Sequence, residues 1–326
     1  MKGPTDNPDS QHAVQVVSLN ELKLVLGDTN AAQNPAFAYL RSLGSDKSRQ
    51  TMYSFLSNVA RLMDQESITL CRWGALRRHH IHAVIALLRG SDKAPATINT
   101  YLSALKGVAL EAWTLGQMDT DSFQHIKLMK SVKGFRLPKG RSLQREEIGL
   151  LLQICAADSE PKGLRDAAII AVLIGCGLRR SEIVALNYED VNFHEQSLRV
   201  LGKGNNERYA FVPPTSWKLL NDYLNEQRGN TAGALFMRIR RLGQLTAQRL
   251  TDQAIYHILE ERRLQAGIES FAPHDLRRSF ATIMLENGED IITLKDAMGH
   301  ASVMTTQRYD RRSDQRLKDA AKRFDL

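Results

Sequence analysis

The sequence predicts a two-domain, mainly α-helical protein with a small antiparallel β-sheet, and three observations support this prediction. Apolar residues recur at three- and four-residue steps in segments 48–63 and 97–116, which is the period of an α-helix with one buried face. The stretch 197–213 alternates apolar and polar residues on either side of GKGNN, which is typical of a β-hairpin. A chain of 326 residues favours two domains.

The N-terminal part of the chain is predicted to be a flexible segment followed by a helical domain. Residues 1–33 are polar at first and contain one apolar patch, so we expect a flexible segment there. Residues 34–136 follow the helical period and are predicted to form a small all-helical domain. Ser48 and Thr97 carry hydroxyls at the start of its two clearest helices and are the expected N-caps.

A basic segment separates the two predicted domains. The window 122–145 contains seven Lys or Arg residues and no Asp or Glu, and Gly134, Pro138 and Gly140 interrupt regular structure within it. We therefore place an interdomain linker at 137–142. A solvated linker would explain this composition, but the charge imbalance favours a strap that neutralises DNA phosphates. The predicted DNA contacts in this window are Lys127, Lys130, Lys133, Arg136, Lys139 and Arg141.

The second predicted domain spans residues 143–315 and is followed by a tail at 316–326. After a first amphipathic helix comes an apolar run at 167–178, which is too short to span a membrane and is predicted to be a buried helix. The alternating apolar residues of the hairpin are Leu198, Val200, Tyr209 and Phe211. Beyond the hairpin the chain is predicted to be helical. The glycines that mark predicted helix ends are Gly267, Gly288 and Gly299.

Composition limits the class of protein and of partner. The formal net charge is +8 and the isoelectric point is about 9.4, which favours a polyanionic partner, with nucleic acid first. The three cysteines lie far apart and form no CxxC pair, so neither a zinc site nor a disulfide framework is expected. A reducing cytoplasm is the expected compartment, with no membrane association.

Several charged or polar residues stand where core packing does not require them. Two arginines directly follow the apolar run after two glycines, a lysine lies at the tip of the hairpin, and a histidine and an arginine share one helix face. Near the C-terminus a histidine follows a glycine, and a tyrosine follows nine residues later. Each alone is explained by an ordinary surface position. In chain order they are Arg179, Arg180, Lys203, His274, Arg277, His300 and Tyr309.

The order and context of these residues resemble the tyrosine recombinase (phage integrase) family, and most closely its Xer-type and plasmid or transposon members. The matching boxes are GLRRSEIVALNYEDV at 177–191 and PHDLRRSFATIMLENGEDIITLKDAMGHASVMTTQRYDRR at 273–312. Residues 143–315 match well, whereas the helical domain matches only loosely and residues 1–33 not at all. The resemblance implies a helical core-binding domain and a mixed α/β catalytic domain that form a C-shaped clamp on DNA.

The resemblance also implies six catalytic residues that act on one scissile phosphate. Two arginines would bind its non-bridging oxygens, a lysine would protonate the leaving 5′ oxygen, one histidine would assist proton transfer, another would hydrogen-bond the phosphate, and a tyrosine would be the nucleophile. In that order they are Arg179 and Arg277, Lys203, His274, His300 and Tyr309. Arg180 and Arg278, which double the two arginines, are predicted DNA contacts, and Glu182 and Asp190 are predicted structural supports.

The chemistry is consistent with that assignment. A free tyrosine has a pKa of about 10, so cationic neighbours or a base must activate it at neutral pH. Fixed arginines would stabilise the charge that builds on the phosphate, and a lysine would protonate the leaving alkoxide. No cofactor or metal is expected, because the boxes lack the clustered carboxylates of two-metal nucleases.

By resemblance, the chain is expected to be a DNA strand transferase that recombines specific double-stranded sites through a Holliday junction. The implied assembly is a homotetramer on DNA, monomeric or dimeric in solution, working with accessory DNA-bending proteins near a bacterial nucleoid. The tail 316–326 is predicted to dock on a neighbouring protomer, against the alternative of packing on its own domain.

Three other interpretations compete with recombination. A type IB topoisomerase uses similar tyrosine chemistry without a defined site. A DNA-binding regulator that has lost catalysis predicts missing catalytic residues, and none of the six is missing. A metal site would use RRHHIH, but alternate residues on a helix do not converge, so a DNA-facing or surface edge is favoured. The histidines concerned are His79, His80 and His82.

Overall fold

The computed structural model contains two compact units, Met1–Pro138 and Lys139–Leu326. It describes residues 33–134, 136, 140–202, 205–240, 243–300, 302–307 and 321–322. The division between the units falls inside the linker predicted at 137–142, and the bounds of the linker and of both domains stay predictions. The flexible segment predicted at 1–33 lies outside the described residues except for Gln33.

The first unit is all helical in its described part. Its helices are α1 (Pro35–Ser42), α2 (Asp46–Leu62), a 3₁₀ turn (Trp73–Ala75), α3 (Arg78–Gly90), α4 (Pro95–Thr114) and α5 (Thr120–Lys127). Helix α4 is the centre of the core, since eight of its residues from Ile98 to Ala112 are buried. The helical period of 97–116 is thereby confirmed as one buried face.

Both predicted N-caps in this unit are wrong by about one turn. The N-cap of α2 is Ser45, whose Oγ accepts a hydrogen bond from the backbone N–H of Ser48 at 3.2 Å. Helix α4 begins at Pro95, two residues before Thr97. Proline suits the first helical position because its fixed φ matches the helix and the missing N–H would be unpaired there.

The second unit is built around one buried helix. Its helices are α6 (Arg145–Ala157), α7 (Pro161–Cys176), α8 (Arg180–Ala185), a 3₁₀ turn (Tyr188–Asp190), α9 (Pro214–Tyr223), a π-helical turn (Leu224–Arg228), α10 (Asp252–Ala266), α11 (Pro273–Glu286), α12 (Ile291–Met298) and α13 (Val303–Gln307). Helix α7 is almost wholly buried and packs against α6, α9 and α11. In the described part of the chain, no helix combines the length and apolarity that crossing a membrane requires.

The predicted hairpin is present as part of a three-stranded antiparallel sheet, β1 (Val191–Asn192), β2 (Ser197–Leu201) and β3 (Glu207–Phe211). On β2 the apolar residues Leu198 and Val200 face the core. On β3 the alternation lies on the other face, because Tyr209 is 61% and Phe211 68% exposed. The register pairs Leu198 with Ala210 and Val200 with Arg208, so these smaller or charged residues are the inward ones.

A second hairpin was not predicted. Strands β4 (Met237–Ile239) and β5 (Leu245–Arg249) pair in an antiparallel, irregular register where the sequence analysis expects helix. Both strands are short, and β5 carries three polar residues in five, so the alternation is too weak to reveal them.

Candidate active site

Arg179 is held at a junction between two helices. Helix α7 ends at Cys176 and is capped by Gly177, which adopts the left-handed conformation with φ of 58°. Helix α8 begins at Arg180, with Arg179 as its N-cap. A Cβ on Gly177 would lie 2.3 Å from a ring carbon of Phe280, so only glycine fits there. The GLR sequence therefore turns the chain sharply and places Arg179 at a fixed position.

Arg277 is the most enclosed arginine of the site, with 1% exposure. Its Nη1 donates to the carbonyl of Gly177 at 2.5 Å, and its Nη2 donates to the carbonyl of Met298 at 2.6 Å. These carbonyls lie at the C-terminal ends of α7 and α12, where unpaired carbonyl groups carry partial negative charge. One guanidinium thus joins two helix ends and is positioned by both.

Glu182 lies between three arginines. Its carboxylate accepts from Arg179 Nη1 at 2.5 Å and from Arg208 Nη2 at 2.9 Å, and Arg277 Nη1 lies 3.8 Å away. Burial would raise the pKa of Glu182, but hydrogen bonds from Arg208 and from the Arg179 backbone outweigh it and lower the pKa to about 2. The side chain is therefore ionised at neutral pH, as a structural support requires.

Arg208 is a site residue that the sequence analysis missed. It lies on the inward face of β3, opposite Val200, and its Nε donates to the carbonyl of Ala297 at 3.2 Å. It also packs on Gly299, where an added Cβ would lie 3.0 Å from the Arg208 Cδ. The alternation of residues along the hairpin could have revealed Arg208. In the correct register, that alternation places its charged side chain on the buried face of β3.

His300 is buried directly after the left-handed cap Gly299 that ends α12. Its Nε2 lies 2.9 Å from Arg277 Nη2, and its Nδ1 lies 2.9 Å from the Thr306 hydroxyl. Burial, followed by the charges of the neighbouring arginines, lowers the pKa of His300 to about 4. The imidazole is therefore neutral at pH 7 and accepts the Arg277 hydrogen bond through Nε2.

His274 lies on the first turn of α11 and keeps access to solvent. Desolvation and then the charges of Arg277 and Arg278 lower the pKa of His274, and Arg179 acts in the same direction. Four of the six predicted catalytic residues are therefore brought into one electrostatic cluster, and they are Arg179, His274, Arg277 and His300.

The other two predicted catalytic residues, Lys203 and Tyr309, lie outside the described residues. Their described chain neighbours are at the cluster. A Cβ on Gly202 would lie 3.7 Å from Glu182 Oε1, and the Thr306 hydroxyl contacts His300. Ser302 caps α13, the helix that precedes Tyr309 in the chain, since its Oγ accepts from the Met304 N–H at 3.3 Å.

The predicted DNA contacts of the first unit differ in their surroundings. Lys127, Lys130 and Lys133 are exposed, and Lys127 lies over the ring of Phe123 at 5.9 Å. Arg136 forms an ion pair with Asp92 at 2.5 Å, which is solvent-exposed and therefore weak. These four side chains stay predictions as DNA contacts.

The predicted DNA contacts of the second unit are more constrained. Lys139 lies outside the described residues, and Arg180 lies 3.9 Å from a carboxylate of α10. Arg141 donates to both carboxylate oxygens of Glu147 at 2.7 Å. Arg278 is only 7% exposed and donates to the carbonyl of Gly140 at 2.7 Å, so its placement favours a structural role over a phosphate contact.

The histidine-rich helix start holds no metal cluster in the described residues. Nowhere in the described part of the chain do three or more His, Cys, Asp or Glu side chains group as metal ligands would. His79 Nε2 lies 3.1 Å from His80 Nε2, whereas His82 accepts from Arg78, so the three rings do not converge on one point.

The part of the chain that holds this cluster matches a known family. The phage integrase family model matches residues 141–316. Tyrosine recombinase XerD of Listeria monocytogenes serovar 1/2a is 33% identical over 250 residues, which cover 76% of this chain and 82% of the relative. Tyrosine recombinase XerA of Pyrococcus furiosus is 32% identical over 289 residues, 88% of this chain and 92% of the relative.

Solved structures share the fold. XerH site-specific recombinase bound to palindromic difH substrate matches with a TM-score of 0.60 and 24% identity over 76% of this chain and 72% of that chain. A lambda integrase dimer bound to a COC′ core site matches with a TM-score of 0.62 and 17% identity over 84% and 93%. Because the family model covers more than half of the chain and relatives exceed 30% identity, this chain belongs to the phage integrase family of tyrosine recombinases, which are DNA strand transferases.

Proposed function

We propose that this chain is a site-specific recombinase that cleaves and rejoins double-stranded DNA through a 3′-phosphotyrosyl link at Tyr309. The observation that carries the proposal is the fixed position of Arg179 and Arg277, which Glu182 and the carbonyls at two helix ends hold together with His300. A pair of rigid guanidiniums presents several N–H donors to one phosphate.

The charge of the cluster suits a phosphoryl transfer. Three guanidiniums, from Arg179, Arg208 and Arg277, lie around the carboxylate of Glu182, so this part of the site is rich in positive charge. A phosphodiester carries one negative charge, and a five-coordinate transition state carries about two. Preorganised positive charge therefore favours the transition state over the ground state, which lowers the barrier to cleavage.

In the proposed step, the Tyr309 oxygen attacks phosphorus and the bond from phosphorus to the 5′ oxygen breaks. Lys203 gives that oxygen its proton, and His274 assists the removal of the tyrosine proton. Attack by a 5′ hydroxyl on the phosphotyrosine reverses the step and rejoins a strand, so the bond energy is kept and no ATP is used. In this arrangement neither step requires a metal.

The reach of the chain supports both assignments. Lys203 directly follows Gly202, which lies beside Glu182, and consecutive Cα atoms are about 3.8 Å apart. Tyr309 is three residues from Thr306, a span of at most about 11 Å even when extended. Both assignments therefore require only short chain segments between the described cluster and the reacting groups.

The proposal extends to assembly. Exchange between two DNA sites needs two cleavages on each, so we propose a tetramer that works through a Holliday junction, with accessory DNA-bending proteins where the sites require them. The predicted DNA contacts Lys127, Lys130 and Lys133, which are exposed, fit such a complex. The tail 316–326 lies outside the described residues except for Ala321 and Lys322, and its docking on a neighbouring protomer is part of the proposal.

Covalent trapping tests the function. Wild-type protein, Tyr309→Phe and the control Tyr256→Phe are incubated with a pool of nicked duplexes of random sequence, and SDS-resistant adducts are recovered and sequenced. We expect adducts with defined sites from the wild type and from Tyr256→Phe, a change at an exposed tyrosine of α10. Tyr309→Phe should retain the DNA band shift and form none. An adduct with Tyr309→Phe would show that another residue is the nucleophile.

A further inference from the structure

Helix α11 presents two rows of residues to two different surroundings. His274 and Arg277 belong to the catalytic cluster. A neighbouring row, at spacings of three, four and seven residues, faces the segment 140–145 at the start of the second unit. The members of this row are Asp275, Arg278, Ser279 and Thr282. The same two helical turns therefore carry the catalytic residues and hold the segment.

The row holds the segment through its backbone as well as its side chains. Arg278 Nη1 donates to the carbonyl of Gly140 at 2.7 Å, and the backbone N–H of Leu143 donates to Ser279 Oγ at 2.8 Å. Ser142 Oγ and Thr282 Oγ1 lie 2.9 Å apart. Since Leu143 and Ser279 are buried, the hydrogen bond between them is shielded from water and is stronger than a surface hydrogen bond.

The contact between the segment and α11 requires glycine at position 140. Its φ is +103°, and a Cβ there would lie 2.2 Å from Asp275 Oδ1. Asp275 also accepts the backbone N–H of Ala272 at 2.9 Å and so closes the first turn of α11, next to His274. The segment thus rests directly on the carboxylate that shapes the turn bearing a catalytic residue.

We propose that Arg278 is a positioning residue for strand transfer: it ties Gly140 to α11 and so fixes the turn that presents His274 and Arg277 to the scissile phosphate. This inference rests on the proposed function of those two residues. Arg278 itself is turned away from solvent, with 7% exposure, and acts through its neighbours rather than on DNA.

The charge of Arg278 reaches the cluster as well. It lowers the pKa of His274, after desolvation and Arg277. A neutral side chain at position 278 would therefore raise that pKa, and a lysine would keep it low. The charged and titratable groups around His274 are Arg277, Arg278 and Asp275 on its own helix, Arg179 at the start of α8, and His300 after α12.

The test compares Arg278→Gln, Arg278→Lys and the control Thr282→Val in the full chain. Thr282→Val removes the Ser142 contact from the same row without changing charge. The substrate is a nicked duplex with a sequence recovered in the trapping experiment. Single-turnover cleavage is measured from pH 5 to 9 at saturating protein, together with DNA affinity over a salt series and the melting temperature.

We expect Arg278→Gln to lower the cleavage rate about tenfold with unchanged DNA affinity, because small misplacements of catalytic groups are costly. The limb of its pH–rate profile that His274 controls should move to higher pH. Arg278→Lys should restore the wild-type profile, and Thr282→Val should change the melting temperature without moving the profile.

Two results would overturn the inference. Weaker DNA binding with a salt slope reduced by about one would make Arg278 a phosphate contact. A lower rate that follows the folded fraction, with a wild-type pH profile, would make it purely structural. If wild-type protein forms no adduct at all, the proposed function fails instead, and that outcome is recognised before any variant is compared.

Discussion

The ionised carboxylate of Glu182 should stabilise the second unit only above acidic pH. The glutamine variant Glu182→Gln keeps the size of the side chain but removes the charge that faces Arg179, Arg208 and Arg277. The folded-state pKa of Glu182 is about 2, against an ordinary value of 4.5. At 1.36 kcal/mol for each tenfold change in proton affinity, the ionised form contributes about 3 kcal/mol to the free energy of unfolding.

The direction of the pH dependence follows from the lowered pKa. The unfolded chain binds the proton more tightly than the folded chain, so the contribution is complete above about pH 4.5 and is lost as the pH falls towards about 2. At pH 7, Glu182→Gln should therefore be about 3 kcal/mol less stable than wild type. Below pH 2 the difference should vanish, because protonated glutamate and glutamine are then both neutral.

The free energies of unfolding of wild type and Glu182→Gln are compared by urea titration at pH 7, 5 and 3. Hydrogen exchange of peptides from α11 follows the unfolding, so the measurement reports on the second unit, which contains Glu182. The control is Glu286→Gln, the same chemical change at an exposed position at the end of α11, which should stay within about 0.5 kcal/mol of wild type at every pH. A stability loss for Glu182→Gln that is equal at pH 7 and pH 3, or below about 0.5 kcal/mol at pH 7, would refute the reasoning.

Two further predictions concern the ends of the site. Gly299→Ala should lower the free energy of unfolding by about 1 kcal/mol because of the left-handed φ of 61°, and its Cβ would displace Arg208 and lower the rate of DNA cleavage at least about tenfold. The control Gly267→Ala, at a φ of 65° with open space around it, should lose similar stability and keep the cleavage rate. Equal cleavage rates for the two variants would contradict the prediction. Deletion of 316–326 should abolish strand exchange between two sites while leaving DNA binding by the monomer, and unchanged exchange would remove the role proposed for the tail.

The sequence predicted the elements better than their limits. Helical periodicity located the buried face of α4 because that signal repeats over five turns. The N-cap of α2 was misplaced since two serines, Ser45 and Ser48, each suit the position. The β4–β5 hairpin was not predicted because its short strands show little alternation of apolar and polar residues, and their pairing is irregular.

In the site, residues within the two contiguous sequence boxes could be named as candidates. A residue that tertiary packing brings to the site from another part of the chain could not. Arg208 reaches Glu182 from a strand 26 residues away, and which face of that strand is inward depends on its register with β2. Arg278 looked like a second phosphate ligand because it adjoins Arg277, but a difference of one residue on a helix turns a side chain by about 100°. That rotation takes it from the cluster to Gly140.

The glycines and the arginines of the two boxes stabilise each other's positions. Gly177 and Gly299 end helices in the left-handed conformation, which leaves carbonyls at those ends unpaired within the helices. Arg277 satisfies the carbonyls of Gly177 and Met298, and Arg179 lies 3.5 Å from that of Gly299. The helix ends therefore fix the guanidiniums, and the guanidiniums complete the helix ends. An approaching phosphate would meet positive charge that the fold has already oriented, so little reorganisation would accompany catalysis.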